Sequence, residues 1–302
     1  MKTAVLIPCY NEAQTIAQVI RDFRQHLPDA TIYVYDNNSQ DNTAAIAVEH
    51  GAVVRRETRQ GKGFVIRRMF RDVEADVYVM VDGDATYQAS KAPEMVQLLV
   101  NQHLDMVIGR RHAVDEDAAY RKGHVWGNKM FTTCVTTLFG KAFEDIFSGY
   151  RVFSRRFVKS FPVTATGFEI ETELAVHALE QECAVAEVDT DYYERPEGSH
   201  SKLSTYKDGF RILMTVMALL RHNRPLFFYS SVAAVFAVLS LILAVPIVLD
   251  YLDTGLVERF PTAILCTGLM ILSGVAFTTG VILNAVARMH RTLKQLHYLA
   301  QQ

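Results

Sequence analysis

The chain lacks the features that mark disulfide-bonded, zinc-bound or nucleic-acid-binding proteins. Its 302 residues include four cysteines, Cys9, Cys134, Cys183 and Cys266, without paired spacing. That scatter argues against a disulfide framework and against a zinc site, and it fits a reducing compartment. Lysine and arginine number 31 against 33 acidic residues, a formal net charge of −2, which argues against a nucleic-acid partner recognised through bulk charge. No G-x-G-x-x-G follows the first apolar run, and there is no Walker sequence. The opening "MKTAVLIPCYNEAQ" has too short an apolar run for a signal peptide; Pro8 interrupts it and Asn11-Glu12 follows, so it reads as a first strand.

What is present is unevenly distributed. From Met1 to about Leu203 the composition is that of a soluble α/β protein, whereas two long apolar runs dominate after Pro225. Strand-like and helix-like segments alternate in the first part. Thr3–Ile7, "TIYVYD", "AVVRRE", "DVYVMV" and "LDMVIG" read as strands; Ala13–His26, "DNTAAIAVEHG", "GKGFVIRRMFRDV" and "APEMVQLLVNQ" read as helices. Such repetition predicts a mostly parallel sheet covered by helices. Farther on, "GHVWGNKMFTTCVTTLFG" and "GFEIETELAVHALEQ" read as helices and "AVAEVDTDYYER" as a strand. Met95, Met106 and Met130 read as core filler, and Trp126 and His124 as packing and surface groups.

Ser204–Arg224 has the pattern of an amphipathic helix, with Lys207, Arg211, Arg221 and Arg224 on or near its polar side. The following run, Leu226–Leu249, carries no charge over about 24 residues, roughly 36 Å as a helix, which is enough to span a bilayer. A second uncharged run covers about Thr262–Ala287 and includes Gly268, Gly274 and Gly280, small residues that let helices approach and so permit a homo-oligomer. A pair of soluble core helices is the alternative. The expected domains are 1–203, 204–225 and a hairpin over 226–302. Arg221 and Arg224 precede the first span and Arg288, Arg291 and Lys294 follow the second, while the connection is mainly acidic. The positive-inside rule then puts both termini in the cytoplasm, with the basic tail at an anionic surface.

The chemistry is concentrated at strand ends. Ligands of parallel sheets bind beyond the carboxyl ends of the strands, where Asp36 and Asp82 fall. In "VYVMVDGDATYQ" a buried run delivers Asp82-Gly83-Asp84. Carboxylates flanking a glycine turn can converge on one hard cation, magnesium or manganese, whose shell is completed by water and phosphates of a nucleotide diphosphate. The bland reading is an Asp/Gly surface turn. Asp36, followed by Asn37-Asn38-Ser39, suits recognition of a base or ribose, or is simply a turn before a helix. Lys62, in Gly61-Lys62-Gly63 at a helix start, can face phosphate.

In that order, "VLIPCYNEAQTI", "VYDNNSQDNT", "GKG", "DGD", "DIFSGYRVF" and "ERPEGSHSKL" resemble the family 2 inverting glycosyltransferases. The nearer resemblance is to the polyprenyl-phosphate branch, which includes the dolichol-phosphate mannose and glucose synthases. The resemblance implies the GT-A α/β fold, a Mg2+ or Mn2+ cofactor, a nucleotide-sugar donor and a lipid phosphate acceptor such as undecaprenyl or dolichyl phosphate. It implies that Pro8, Tyr10, Glu12 and Asp36 hold the nucleoside and that Asp82 and Asp84 handle the metal and diphosphate. Arg195, Ser201 and Lys202 match a segment that closes over the diphosphate; Ser148, Arg151 and Arg121 fall on the acceptor side. Two departures stand out. Many relatives have two acids where this chain has Asp36-Asn37, and a glutamine where it has Thr86, with Gln88 as a nearby substitute.

A lipid phosphate, with its second pKa near about 6, is already anionic at neutral pH and needs no general base. A hydroxyl acceptor would need one, for which Asp145 is the candidate. Glu169 and Glu173, i and i+4 on one helix, are as readily structural as functional. "YDNNS" and "DGDATY" lean toward branches that use UDP-glucose or UDP-N-acetylhexosamine. The rivals are a polysaccharide synthase with a hydroxyl acceptor, whose Q-x-x-R-W element is missing here, and a nucleotide-sugar-binding scaffold.

Overall fold

A computed structural model describes residues 1–113, 143–163, 166–167, 169–194, 217, 220–221 and 224–300. The chain divides into two compact units, Met1–Gly209 together with Lys294–Gln302, and Phe210–Leu293.

The first unit is built on one seven-stranded sheet. Its strands are β1 (Thr3–Cys9), β2 (Thr31–Asp36), β3 (Val53–Arg56), β4 (Val77–Met80), β5 (Met106–Ala113), β6 (Arg151–Ser154) and β7 (Val185–Tyr192), in the spatial order β3-β2-β1-β4-β6-β5-β7. All neighbours pair in parallel except at β6, which runs antiparallel to both β4 and β5. β1 and β4 are apolar and buried throughout most of their length because helices cover both faces of the sheet. Those helices are α1 (Ile16–His26), α2 (Thr43–Glu49), α3 (Lys62–Asp72), α4 (Ala92–Asn101), α5 (Arg155–Ser160) and α6 (Ile170–Glu180). In α1 the buried residues are Ile16, Val19, Ile20 and Phe23, the spacing that gives one apolar face. Met95 and Met106 are fully buried.

The strands and helices read from the first 113 residues are all present, and the mostly parallel sheet is as expected. The sequence reading missed β6 and α5. Ser154 caps α5 by accepting a bond from the Phe157 amide. The stretch "GHVWGNKMFTTCVTTLFG", with Trp126, His124 and Met130, and most of the amphipathic segment 204–224 lie outside the described residues.

The second unit contains α7 (Pro225–Thr254) and most of α8 (Phe260–Leu299), both long and apolar enough to cross a membrane. Gly255, with φ +72, ends α7 in the left-handed conformation that glycine adopts freely. The two helices exchange hydroxyl bonds: Ser240 donates to the Cys266 carbonyl at 2.9 Å and Ser273 to the Ala233 carbonyl at 2.8 Å. Of the three glycines expected to mediate packing, only Gly280 is used within the pair; a Cβ there would lie 2.9 Å from Tyr229 Cβ, whereas Gly268 and Gly274 face open space.

Candidate active site

Register decides which side chains meet at the carboxyl edge. Cys9 of β1 lies opposite Asp36 of β2, and the Asn37 amide donates to the Cys9 carbonyl at 2.9 Å. On the other side of β1, the Val81 amide continues the ladder to the Leu6 carbonyl, so Asp82 leaves the sheet one residue later. Asp36 and Asp82 therefore flank the end of β1.

The loops that follow β1 and β2 brace each other. The Asn11 amide donates to Ser39 Oγ, Gln40 N to Asn11 Oδ1, Ala13 N to Asp41 Oδ2 and Glu12 N to Thr43 Oγ1, at 2.8–3.0 Å. Asn11 and Asn38 sit at φ +54 and +63, a region asparagine tolerates better than most residues. Pro8, Tyr10 and Glu12 are half-buried along this edge, and Asp36 is buried with the Ser39 amide 3.3 Å from both its oxygens. Asn37, where many relatives carry an acid, uses both ends of its amide. It donates to the Glu57 and Arg59 carbonyls and accepts from the Gly61 amide, which staples the loop before α3.

The Asp82-Gly83-Asp84 turn holds two unlike carboxylates. A Cβ at position 83 would lie 2.7 Å from Cys9 Sγ, so the close pass beneath β1 requires glycine. Thr15 fixes the turn by donating to the Gly83 carbonyl at 2.6 Å. Asp84 is 3% exposed and accepts from the Thr86 hydroxyl at 2.6 Å and from the Thr86 amide. Gln88, the substitute considered for the missing glutamine, is engaged elsewhere: its Oε1 accepts from the Asp191 amide of β7. The Asp82 side chain is 28% exposed.

Asp82 is gripped from below. Lys62, the first residue of α3, donates to Asp82 Oδ1 at 2.6 Å and lies 2.5 Å from Glu171 Oε1, in the first turn of α6. Burial alone would depress the Lys62 pKa; the two carboxylates outweigh it and hold the ammonium charged, with its pKa raised. Gly149 backs Asp82 so closely that a Cβ would collide with the carboxylate, and its amide donates to the Tyr87 hydroxyl at 2.8 Å. Glu171 was not singled out in the sequence, where Glu169 and Glu173 drew attention. Glu169 instead accepts from the Thr166 and Gly167 amides beside it.

On the other half of the sheet, Arg111 forks onto Asp145, with Nε and Nη2 each 2.7 Å from an oxygen. Burial raises the Asp145 pKa, but the Arg111 bonds and charge prevail and keep it below the usual carboxylate range. A carboxylate so held is a poor proton acceptor, which weighs against the base role considered for it. Ser148 and Arg151, expected on the acceptor side, are both fully buried. Ser148 Oγ donates to the Gly109 carbonyl at 2.6 Å, and Arg151 donates to the Ser148 and Ile146 carbonyls. They shape the loop that carries Gly149. Arg121, Arg195, Ser201 and Lys202 lie outside the described residues.

Among the described residues no three His, Cys, Asp or Glu side chains converge as a metal cage. Asp82 and Asp84 nonetheless offer the hard oxygen donors that magnesium or manganese accepts when phosphate and water supply the remainder.

Residues 4–161 match the model of the family described as glycosyl transferase family 2. Glycosyltransferase AglJ of Haloferax volcanii is 34% identical over 289 residues, 95% of this chain and 94% of that protein. The dolichyl-phosphate hexose transferase of the same organism is 27% identical over 222 residues, 73% of this chain and 95% of that one. Among solved structures, glucosyl-3-phosphoglycerate synthase from Mycobacterium tuberculosis, in complex with Mn2+ and uridine-diphosphate-glucose, superposes with a TM-score of 0.56. It is 22% identical, covering 72% of this chain and 78% of that one, a likeness that shows the GT-A fold.

Proposed function

The chain belongs to glycosyl transferase family 2, and from that premise we propose that it transfers a sugar from a nucleotide-sugar donor to a polyprenyl phosphate, with inversion at the anomeric carbon. One observation carries the acceptor assignment: the same chain holds an acidic strand-end site and two apolar helices whose most hydrophobic windows are only 11% buried. Apolar surface on that scale fits a bilayer. The similarity to a dolichyl-phosphate hexose transferase over 95% of that protein supports the reading. We assign both termini to the cytoplasm of a bacterial or archaeal cell, a UDP-sugar as donor, residues 1–203 as the catalytic segment, 204–225 as the juxtamembrane segment, and 226–302 as a membrane hairpin (about 226–249 and 262–287) with a basic cytoplasmic tail.

The chemistry follows from charge. Asp82 and Asp84 would hold the divalent ion, which when bound offsets the charge of the departing diphosphate. Asp36 and the braced loops of Tyr10 and Glu12 orient the nucleoside. The acceptor phosphate arrives anionic, so the protein aligns it for in-line attack and abstracts no proton. Asp145 supports this reading over a hydroxyl acceptor, because Arg111 occupies both its oxygens. Arg121 on the acceptor side, and Arg195, Ser201 and Lys202 over the diphosphate, complete the proposal.

The test is turnover by purified protein supplied with polyprenyl phosphate and a panel of nucleotide sugars, with and without Mg2+ or Mn2+. The expected product is a polyprenyl-monophosphate sugar, abolished by Asp84→Ala in a protein that remains folded. Product with a hydroxyl acceptor alone would establish the polysaccharide-synthase reading, and donor binding without turnover on any acceptor would establish a scaffold.

A further inference from the structure

Three charged side chains form a line that ends at the candidate metal site. Glu171 is buried, with a side chain 6% exposed; Lys62 is 10% exposed; Asp82, at 28%, is the open end. The ammonium lies between the two carboxylates, 2.5 Å from Glu171 Oε1 and 2.6 Å from Asp82 Oδ1. A lysine at a helix start beside a phosphate site would ordinarily extend toward solvent and its ligand. This one is turned inward, and Glu171 is the group that draws it there.

Position and charge give Glu171 a task. Without Lys62 it would be a buried anion left to the charge of Arg151, which is costly. With Lys62 it becomes half of a counter-charge for Asp82: the trio carries −1, where the two carboxylates without the lysine would carry −2. A divalent ion approaching Asp82 alone meets a carboxylate that already has a cation on one oxygen. An ion arriving with a diphosphate brings its own negative charge, and it supplies a second partner for the ammonium.

We propose that Glu171 is a positioning residue that holds Lys62 against Asp82 as a resident monovalent cation, so that the site takes a divalent ion together with a nucleoside diphosphate and not by itself. This rests on the reading of Asp82 and Asp84 as the metal-diphosphate site. It assigns Glu171 no contact with donor or acceptor.

The test is Mn2+ binding to the full-length protein in detergent, followed by the electron paramagnetic resonance signal of unbound Mn2+, alone and with UDP or GDP. In the native protein Mn2+ binds weakly alone and tightly with one of the diphosphates. Lys62→Met raises the affinity for Mn2+ alone by about tenfold or more, because a cation has been removed from its ligand. Glu171→Gln raises it as well, because the ammonium loses the anchor that keeps it on Asp82. A merely structural role would instead lower Mn2+ affinity in both variants, alone and with diphosphate. Should Lys62→Met fail to fold with Glu171 unpaired, the double variant Lys62→Met/Glu171→Gln serves, and it binds Mn2+ alone more tightly than the native protein does. Folded variants that bind Mn2+ as the native protein does would overturn the proposal and leave the metal-diphosphate reading intact. A native protein that binds no Mn2+ with either diphosphate would overturn both.

Discussion

Tyr298 donates its phenolic hydroxyl to Asp105 Oδ2 at 2.7 Å, joining the last turn of α8 to the residue just before β5. Asp105 is buried and also accepts from Arg156, Ser154 and the Ala184 amide, and the Arg156 guanidinium lies over the Tyr298 ring. Lys294, one of the basic tail residues, pairs with Glu180. The end of the chain is therefore part of the catalytic unit's structure. Tyr298→Phe keeps the ring and removes one bond to a buried carboxylate, a loss of about 1–3 kcal/mol. It should lower the melting temperature in detergent, while the affinity for nucleoside diphosphate stays at the native value.

Asn37→Asp would restore the acid found in many relatives and should nevertheless harm this protein. The Glu57 and Arg59 carbonyls, which now receive the Asn37 amide, would face a carboxylate that has nothing to donate. The expected cost is about 1–3 kcal/mol, together with weaker nucleoside diphosphate binding as the 57–61 loop loosens. Calorimetric titration with UDP and GDP checks the second effect.

Gly149→Ala separates geometry from charge. The new methyl would occupy the space of the Asp82 carboxylate without altering any ionisable group. Turnover should fall by about a hundredfold or more, the scale expected when a reacting arrangement is displaced by an ångström. Far-ultraviolet circular dichroism should remain native.

His177 makes stability depend on pH. Its ring meets Phe157 and Phe161 edge-on, and neither nitrogen has a hydrogen-bond partner among the described residues. Burial, and then the Lys294 charge, hold its pKa down at about 3. The unfolded chain binds a proton near about pH 6.5, so the imidazole favours the folded state above that value. The advantage drains away as pH falls from about 6.5 toward 3. His177→Phe should flatten the melting temperature over this interval, and an unchanged slope would place the dependence on other groups.

Legibility in the sequence followed sequence distance. β1, β2 and β4 could be read because apolar runs there end in an acid or a turn, and Asp36 and Asp82 could be placed at one edge by the parallel pattern alone. Glu171 could not, because its partner Lys62 lies on another helix far back in the chain, and nothing local distinguishes it from Glu169 or Glu173. β6 escaped notice because four residues, "RVFS", begin with an arginine, a residue that reads as surface. In the fold Arg151 is fully buried, its guanidinium consumed by the carbonyls of its own loop. Asn37 looked like a weakened copy of an acid because the carbonyls it serves are twenty residues or more downstream.

The one reversed strand changes which way the chain faces the site. Six strands deliver to the catalytic edge whatever follows them; β6 delivers what precedes it. Gly149 thus reaches Asp82 from the upstream side of β6. A search for functional residues that looks only downstream of each strand would pass over this glycine, although a methyl group added to it would collide with the Asp82 carboxylate.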